Sequence, residues 1–212
     1  MSRVAFGVRA HSGWAALVAL GEGHGRLEIV DRRRLALVDP EEAHWAKQPY
    51  HAAAGLDAAA ASAAAADGAD AEELVARAIA AAARHAEREI ESALAERRAE
   101  GDEVAGCGVL LGSGMAPFSV REILAVHARM HQAEGELFRG ALARAAEHAG
   151  LALIGVREKR LEETATEALS LPPAELRACL DEAGRRAGRP WARDQKDAAL
   201  CAWIALRRSR RG

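Results

Sequence analysis

The chain has 212 residues and a formal net charge of -2 at pH 7, and 53 of its residues are alanine. This length fits a single domain over residues 1–212 with a thin, alanine-padded core. The near-neutral charge excludes a global basic field for nucleic acid, and no run approaches the roughly 18 apolar residues of a membrane span. Because Arg9 and His11 interrupt the first apolar run, no secretory signal is expected, and we expect a soluble, cytoplasmic protein of bacterial type.

Three extended segments open the chain. Residues 3–9 and 14–20 are apolar and rich in β-forming side chains, and residues 26–38 include a stretch that alternates apolar and polar side chains. Glycine-containing turns separate the three segments. The pattern therefore predicts three strands in an antiparallel meander.

Aromatic, cationic and amide side chains are concentrated in the next segment, the predicted loop from Trp45 to His51, which contains the only tyrosine, Tyr50. Such a loop can stack on a nucleobase. The alternative is that Trp45 and Tyr50 pack beneath an irregular connection. An alanine tract follows at residues 58–66.

A long alanine-rich first helix is predicted over about residues 70–99. Asp70 is a suitable N-cap because Glu73 follows three residues later, as in a capping box. Leu74 and Ile79 lie on its apolar face. This face supports one functional alternative, a non-catalytic structural or partner-binding module, including a homo-oligomer.

Two strand–helix units and a helical end follow. Residues 104–111 form a continuous apolar run, typical of a strand buried on both faces. A helix is predicted from a cap at Ser119 to about His148, and a fifth strand at residues 151–156. Further helices are predicted over residues 158–169, 173–187 and about 191–208.

Two local patterns accompany this β-β-β-α-β-α-β-α order. Residues 6–13 read FGVRAHSG and residues 194–200 read DQKDAAL. With the element order, they resemble the first hairpin and the last helix of the ribonuclease H-like superfamily, in its Holliday-junction-resolvase-like branch. The resemblance implies an α/β fold with a five-stranded mixed sheet flanked by helices.

The resemblance also implies a nuclease site in which three or four carboxylates hold two metal ions, typically magnesium. In that family an indispensable carboxylate ends the first strand, where this chain has Arg9. The fourth strand also lacks its usual terminal acid, and only Asp194 and Asp197 match residue by residue. Since a guanidinium cannot ligate a cation, the chain is interpreted as a degenerate nuclease homologue.

In this fold the carboxyl ends of strands 1 and 4 form the functional edge of the sheet. Arginine at position 9 would turn a cation site into an anion site, and free N–H groups in the loop 112–114 would attract anions. The predicted ligand is therefore an anion, a nucleotide or nucleic acid. The alternative is an ion pair from Arg9 to Asp194 or Asp197 that replaces the metals. The ligand-binding candidates are Arg9, His11, Ser12, Gly112, Ser113, Gly114 and Lys196.

A third alternative is an active metal-dependent nuclease or phosphodiesterase with a rebuilt site. Asp194 and Asp197 would then be catalytic, assisted by His11 and Glu134, with Mg²⁺ or Mn²⁺ as cofactor.

The predicted second long helix also carries a candidate metal site. His127, His131 and Glu134 share one stripe of this helix, because positions i+4 and i+7 return close to the starting face. Such a set can bind zinc. The alternative is a polar helix face whose imidazoles pack or face solvent.

Overall fold

The structure is a computed structural model that describes residues 2–23, 25–55 and 70–209. The alanine tract predicted at residues 58–66 lies outside the described residues. The strands are β1 (Arg3–His11), β2 (Trp14–Gly23), β3 (Arg26–Ala36), β4 (Glu103–Leu111) and β5 (Leu153–Arg157). The helices are α1 (Ala43–Ala46), α2 (Pro49–Ala53), α3 (Ala71–Ala99), α4 (Val120–Leu124), α5 (His127–His148), α6 (Leu161–Leu169), α7 (Pro173–Ala187) and α8 (Arg193–Arg208), with a 3-10 turn at Glu158–Arg160.

The five strands form one mixed sheet in the order β3-β2-β1-β4-β5. The first three strands are antiparallel neighbours, whereas β4 runs parallel to β1 and β5 runs parallel to β4. The β1–β2 hairpin closes where His11 lies opposite Trp14, and Gly13 adopts φ +79° in the turn between them. The predicted meander and the predicted α/β sheet are both confirmed.

Helices cover both faces of the sheet, so side chains of β1 alternate between two apolar cores. Phe6 and Val8 pack towards the layer of α3 and α5, whereas Ala5 packs towards α6, α7 and α8. Leu17 and Leu20 of β2 divide between the same two cores. The alternation explains why the central strands have continuous apolar sequences.

The last helix, α8, lies directly on the middle of the sheet. A Cβ atom on Gly7 would come within 2.5 Å of Ala202 N, and one on Gly108 within 2.6 Å of the Cys201 carbonyl carbon. Only glycine at these two strand positions allows the helix backbone to approach so closely. This contact fixes the start of α8 over the carboxyl end of β1.

The predicted loop of residues 45–51 contains the short helices α1 and α2. Trp45 and Tyr50 are buried there, at 3% and 6% exposure, in the core beneath α3 and α5. The packing interpretation of this segment is therefore correct, and these two rings are not free to stack on a base.

The long first helix begins as predicted, because the Asp70 side chain accepts a hydrogen bond of 2.8 Å from Glu73 N. Leu74 is 1% exposed and belongs to the core, so the proposed interaction face does not include it. Ile79, by contrast, is 38% exposed. Among the described residues, no helix combines the length and apolar character needed to cross a membrane.

The helix predicted from Ser119 to His148 is interrupted. Ser119 and Glu122 form the expected capping box, but α4 ends at Leu124 and Val126 is extended, with φ -138° and ψ 110°. The Arg129 side chain donates to the Glu122 carbonyl, which the end of α4 leaves without a helical partner. The interruption places His127 at the first position of α5.

Candidate functional site

Arg9, near the carboxyl end of β1, lies among three carboxylates. Its Nε atom is 3.1 Å from Asp194 Oδ1, its Nη2 atom is 2.9 Å from Glu158 Oε1, and its Nη1 atom contacts Asp197 Oδ2. The Arg9 side chain is only 12% exposed. We call Arg9, Asp194, Asp197 and Glu158 the arginine–carboxylate cluster.

Three elements of the fold bring this cluster together. Asp194 and Asp197 are three residues apart at the start of α8, so both project from one side of its first turns. Glu158 comes directly after β5, and parallel strands end at the same edge of the sheet. Arg193, 75% exposed, adds a second guanidinium 3.5 Å from Asp197 and 3.6 Å from Glu158.

Glu158 was not among the predicted site residues. The signal was present, because an acid placed just after the fifth strand must lie at the same edge as the end of the first strand.

Burial dominates the electrostatics of Asp197. It raises the pKa of the Asp197 carboxyl above its ordinary value, against the positive charges of Arg9 and Arg193, which lower it. A carboxylate in such a partly desolvated place needs a cationic partner to stay ionised. The neighbouring guanidinium provides that partner.

The cluster does not fit the pair of divalent cations that the family resemblance implies. A guanidinium has hydrogen-bond donors and a positive charge, and no lone pair for a metal. One oxygen of each of the three carboxylates already faces Arg9. A cation on these oxygens would meet the Arg9 charge at close range.

His11 and Trp14 extend the site beyond the cluster. The Nε2 atom of His11 is 3.0 Å from Asp194 Oδ1, and its ring stacks on Trp14 with centroids 4.3 Å apart. The Arg34 guanidinium also lies against the Trp14 ring, 4.1 Å from its centroid. The Trp14 indole of the hairpin therefore contacts both the His11 imidazole and, from β3, the Arg34 guanidinium.

A polar cavity of about 230 Å³ lies between the end of β1 and helix α5. It brings together the predicted residues Arg9, His11 and Ser12 with His131 and Glu134. The cavity is also lined by Ala10, Gln48, Leu110, Gly135, Arg139 and Glu158.

The remaining ligand-binding candidates lie elsewhere. The carbonyl of Gly112 accepts a hydrogen bond of 3.2 Å from Arg157, and the carbonyl of Gly114 accepts one from Gln132. Ser113 between them is exposed. The loop leads to a helix of only five residues, at whose start the Ser119 side chain accepts a hydrogen bond from Glu122 N.

Lys196 lines a second cavity, which Glu158, Arg193 and Asp197 also line. Its Nζ atom pairs with Asp181 at 2.8 Å, on a surface between α6, α7 and α8. Of the four described residues Gly112, Ser113, Gly114 and Lys196, none lines the cavity next to Arg9.

His127 and His131 meet a third imidazole, that of His51 in α2. One ring nitrogen of each of the three lies within 4.8 Å of the other two. Glu134 does not join them directly; its Oε1 atom is 2.8 Å from His51 Nδ1 and accepts the His51 backbone N–H at 3.2 Å. His51 was missed as a candidate because its partners are far along the sequence.

Comparison with known proteins adds the fold relationship. No protein-family model matches the sequence, and no curated protein matches it. A structure of Thermus thermophilus RuvC aligns with a TM-score of 0.52, and one of T. thermophilus RuvC in complex with Holliday junction substrate with 0.51. Each is 11% identical to this chain, and each alignment covers 99% of this chain and 96% of the other. The chain thus has the fold of RuvC, of the ribonuclease H-like type.

Proposed function

We propose that this chain is a degenerate nuclease homologue that binds nucleic acid at the carboxyl edge of its sheet and does not cleave it with two carboxylate-bound metal ions. The observation that carries the proposal is the position of Arg9. Its guanidinium takes up oxygens of Asp194, Asp197 and Glu158 that cations would otherwise need. Without a bridging carboxylate at that position, the two-metal mechanism has no central ligand.

Exposed arginines around the same edge support the binding part of the proposal. Arg34 near the end of β3 and Arg157 at the end of β5 are exposed, and neither has a carboxylate partner among the described residues. Arg139 lines the cavity, and Arg193 is 75% exposed. Guanidinium groups spaced along an edge are suited to contact successive phosphates.

Arg9 has a different role in this proposal from the one expected from sequence. Its donors already face carboxylates, so it neutralises and positions the acidic residues instead of binding the anion itself. Phosphate contacts fall to the outer arginines, with His11 and Ser12 available at the cavity mouth.

Binding is tested with fluorescently labelled four-way junction, duplex and single-stranded DNA, and the RuvC complex makes the junction the first choice. We expect binding that weakens as salt concentration rises. Arg34→Ala and Arg157→Ala should each reduce the slope of log K against log [salt] by about one, which corresponds to the loss of one phosphate contact. Arg98→Ala is the matched control, because Arg98 is an exposed arginine in the last turn of α3, at the opposite edge of the sheet. Equal affinities for the parent and all three variants would contradict this binding surface.

Cleavage is tested on the same DNAs with Mg²⁺ or Mn²⁺ and an EDTA control. We expect no metal-dependent product. Cleavage that is lost in both Asp194→Asn and Asp197→Asn would overturn the degenerate site and favour an active nuclease. Absence of any nucleic-acid binding would instead favour a structural or partner-binding module.

A further inference from the structure

We propose that His51, His127 and His131 form a binding site for a divalent transition-metal ion, with Zn²⁺ the best match, and that Glu134 orients His51 within it. The proposal rests on the histidine geometry and is independent of nucleic-acid binding. The three residues are called the histidine site below.

The spacing of the imidazoles matches a metal coordination shell. The Nε2 atoms of His51 and His127 are 3.2 Å apart. Two nitrogens bound to one zinc ion at 2.0–2.1 Å in tetrahedral geometry would be about 3.3–3.4 Å apart. The His131 ring centroid lies 4.5 Å from that of His51 and 4.7 Å from that of His127, so a small rotation of this exposed side chain completes the set.

Glu134 defines which nitrogen of His51 is available. A carboxylate only accepts hydrogen bonds, so His51 Nδ1, 2.8 Å away, carries the hydrogen and Nε2 presents its lone pair towards His127. Glu134 is 2% exposed and also accepts the His51 backbone N–H, which fixes both groups. A carboxylate behind a histidine is the usual outer partner of a metal-binding imidazole.

An ion held by the three imidazoles would be accessible to a further ligand. His51 is 8% exposed, whereas His127 and His131 are exposed. Three protein ligands with an open fourth position are typical of zinc sites that bind water or a substrate oxygen. His131 and Glu134 also line the cavity next to Arg9, so an exchangeable ligand would lie beside that cavity.

The test uses the full-length chain, without an affinity tag and after EDTA treatment and dialysis, in calorimetric titrations with ZnCl₂. We expect one ion per chain. Glu134→Gln should weaken binding about 10- to 100-fold, as loss of an outer carboxylate does at other sites, and His131→Ala should weaken it more. The matched control is His148→Ala, an exposed histidine at the end of the same helix, which should bind as the parent does.

Cobalt provides a second measurement that needs no variant. The unaltered chain with CoCl₂ should show the intense visible d–d bands of tetrahedral coordination, without the thiolate-to-cobalt band that cysteine ligands produce. Absence of both zinc binding and cobalt bands would overturn the proposal, and the three imidazoles would then be a hydrogen-bonded group around Glu134. Zinc affinity that is equal in the parent, His131→Ala and His148→Ala would also overturn it.

Discussion

Replacing Arg9 by Met tests whether the guanidinium holds the arginine–carboxylate cluster together. Met keeps much of the aliphatic length but removes the charge shared by three carboxylates. Removal of one partner of a buried ion pair costs about 3–5 kcal/mol. Because these carboxylates are between 21% and 35% exposed, water screens part of their repulsion, and we expect a loss of about 2–4 kcal/mol in the free energy of unfolding.

Urea unfolding at neutral pH measures the loss directly, and the melting temperature should fall by roughly 5–12 °C in a chain of this size. Arg33→Met is the matched control. Arg33 also bridges two carboxylates, those of Asp31 and Glu96, at 2.6 Å each, but Glu96 is 48% exposed. We expect the control to lose about 1 kcal/mol or less.

The sharper test is the pH dependence of the stability deficit, which is the free energy of unfolding that Arg9→Met loses relative to the parent. Burial raises the folded-state pKa of Asp197 above its ordinary value of 3.8. The folded chain then binds more protons than the unfolded chain between these two pKa values, so stability from this group falls as pH rises through that window. Without Arg9 the pKa rises further, and the deficit should be smaller at about pH 4.5 than at about pH 7. A variant as stable as the parent, or a deficit equal at both pH values, would refute the reasoning.

Two further predictions concern packing and thiol chemistry. Gly7→Ala should cost about 2–3 kcal/mol, because the new methyl group meets the backbone of α8. In Gly140→Ala the methyl group meets only the flexible end of a side chain, so this variant should stabilise α5 by up to about 1 kcal/mol. Equal changes in the free energy of urea unfolding for the two variants would contradict this contrast. Burial raises the pKa of Cys107 to about 12 and also raises that of Cys201, so only the half-buried Cys179 should react quickly with a thiol reagent in the folded chain. If all three thiols react as quickly in the folded chain as in the denatured chain, this prediction is wrong.

Local patterns were sufficient to predict the strands of the sheet and most of the helices that cover it. The apolar run of residues 104–111 and the turn at Gly13 became β4 and the β1–β2 hairpin. The interruption at Val126 was not visible, because the capping box at Ser119 and the following residues all favour a helix. Only the folded chain shows where the helix is interrupted.

The sequence predicts those parts of the candidate site that lie on a single helix or strand. Asp194 and Asp197 share a helix face because they are three residues apart, whereas Lys196, two residues after Asp194, does not face it. Lys196 instead pairs with Asp181 of α7. His51 is different, since its contact with Glu134 joins two elements 83 residues apart and no spacing rule predicts such a pair.

Charge neutralisation connects the arginine–carboxylate cluster to the proposed binding surface. In a two-metal site the cations offset both the protein carboxylates and the incoming phosphate. Here Arg9 offsets one of the three carboxylate charges of the cluster, and the neighbouring Arg193 offsets a second. The cluster and Arg193 together therefore carry one net negative charge. Under the proposed function, a phosphate is therefore repelled only weakly by the cluster and attracted to the exposed guanidiniums of Arg34 and Arg157 around it. Binding of the proposed kind needs no divalent cation, so we expect the DNA affinity to be unchanged by EDTA.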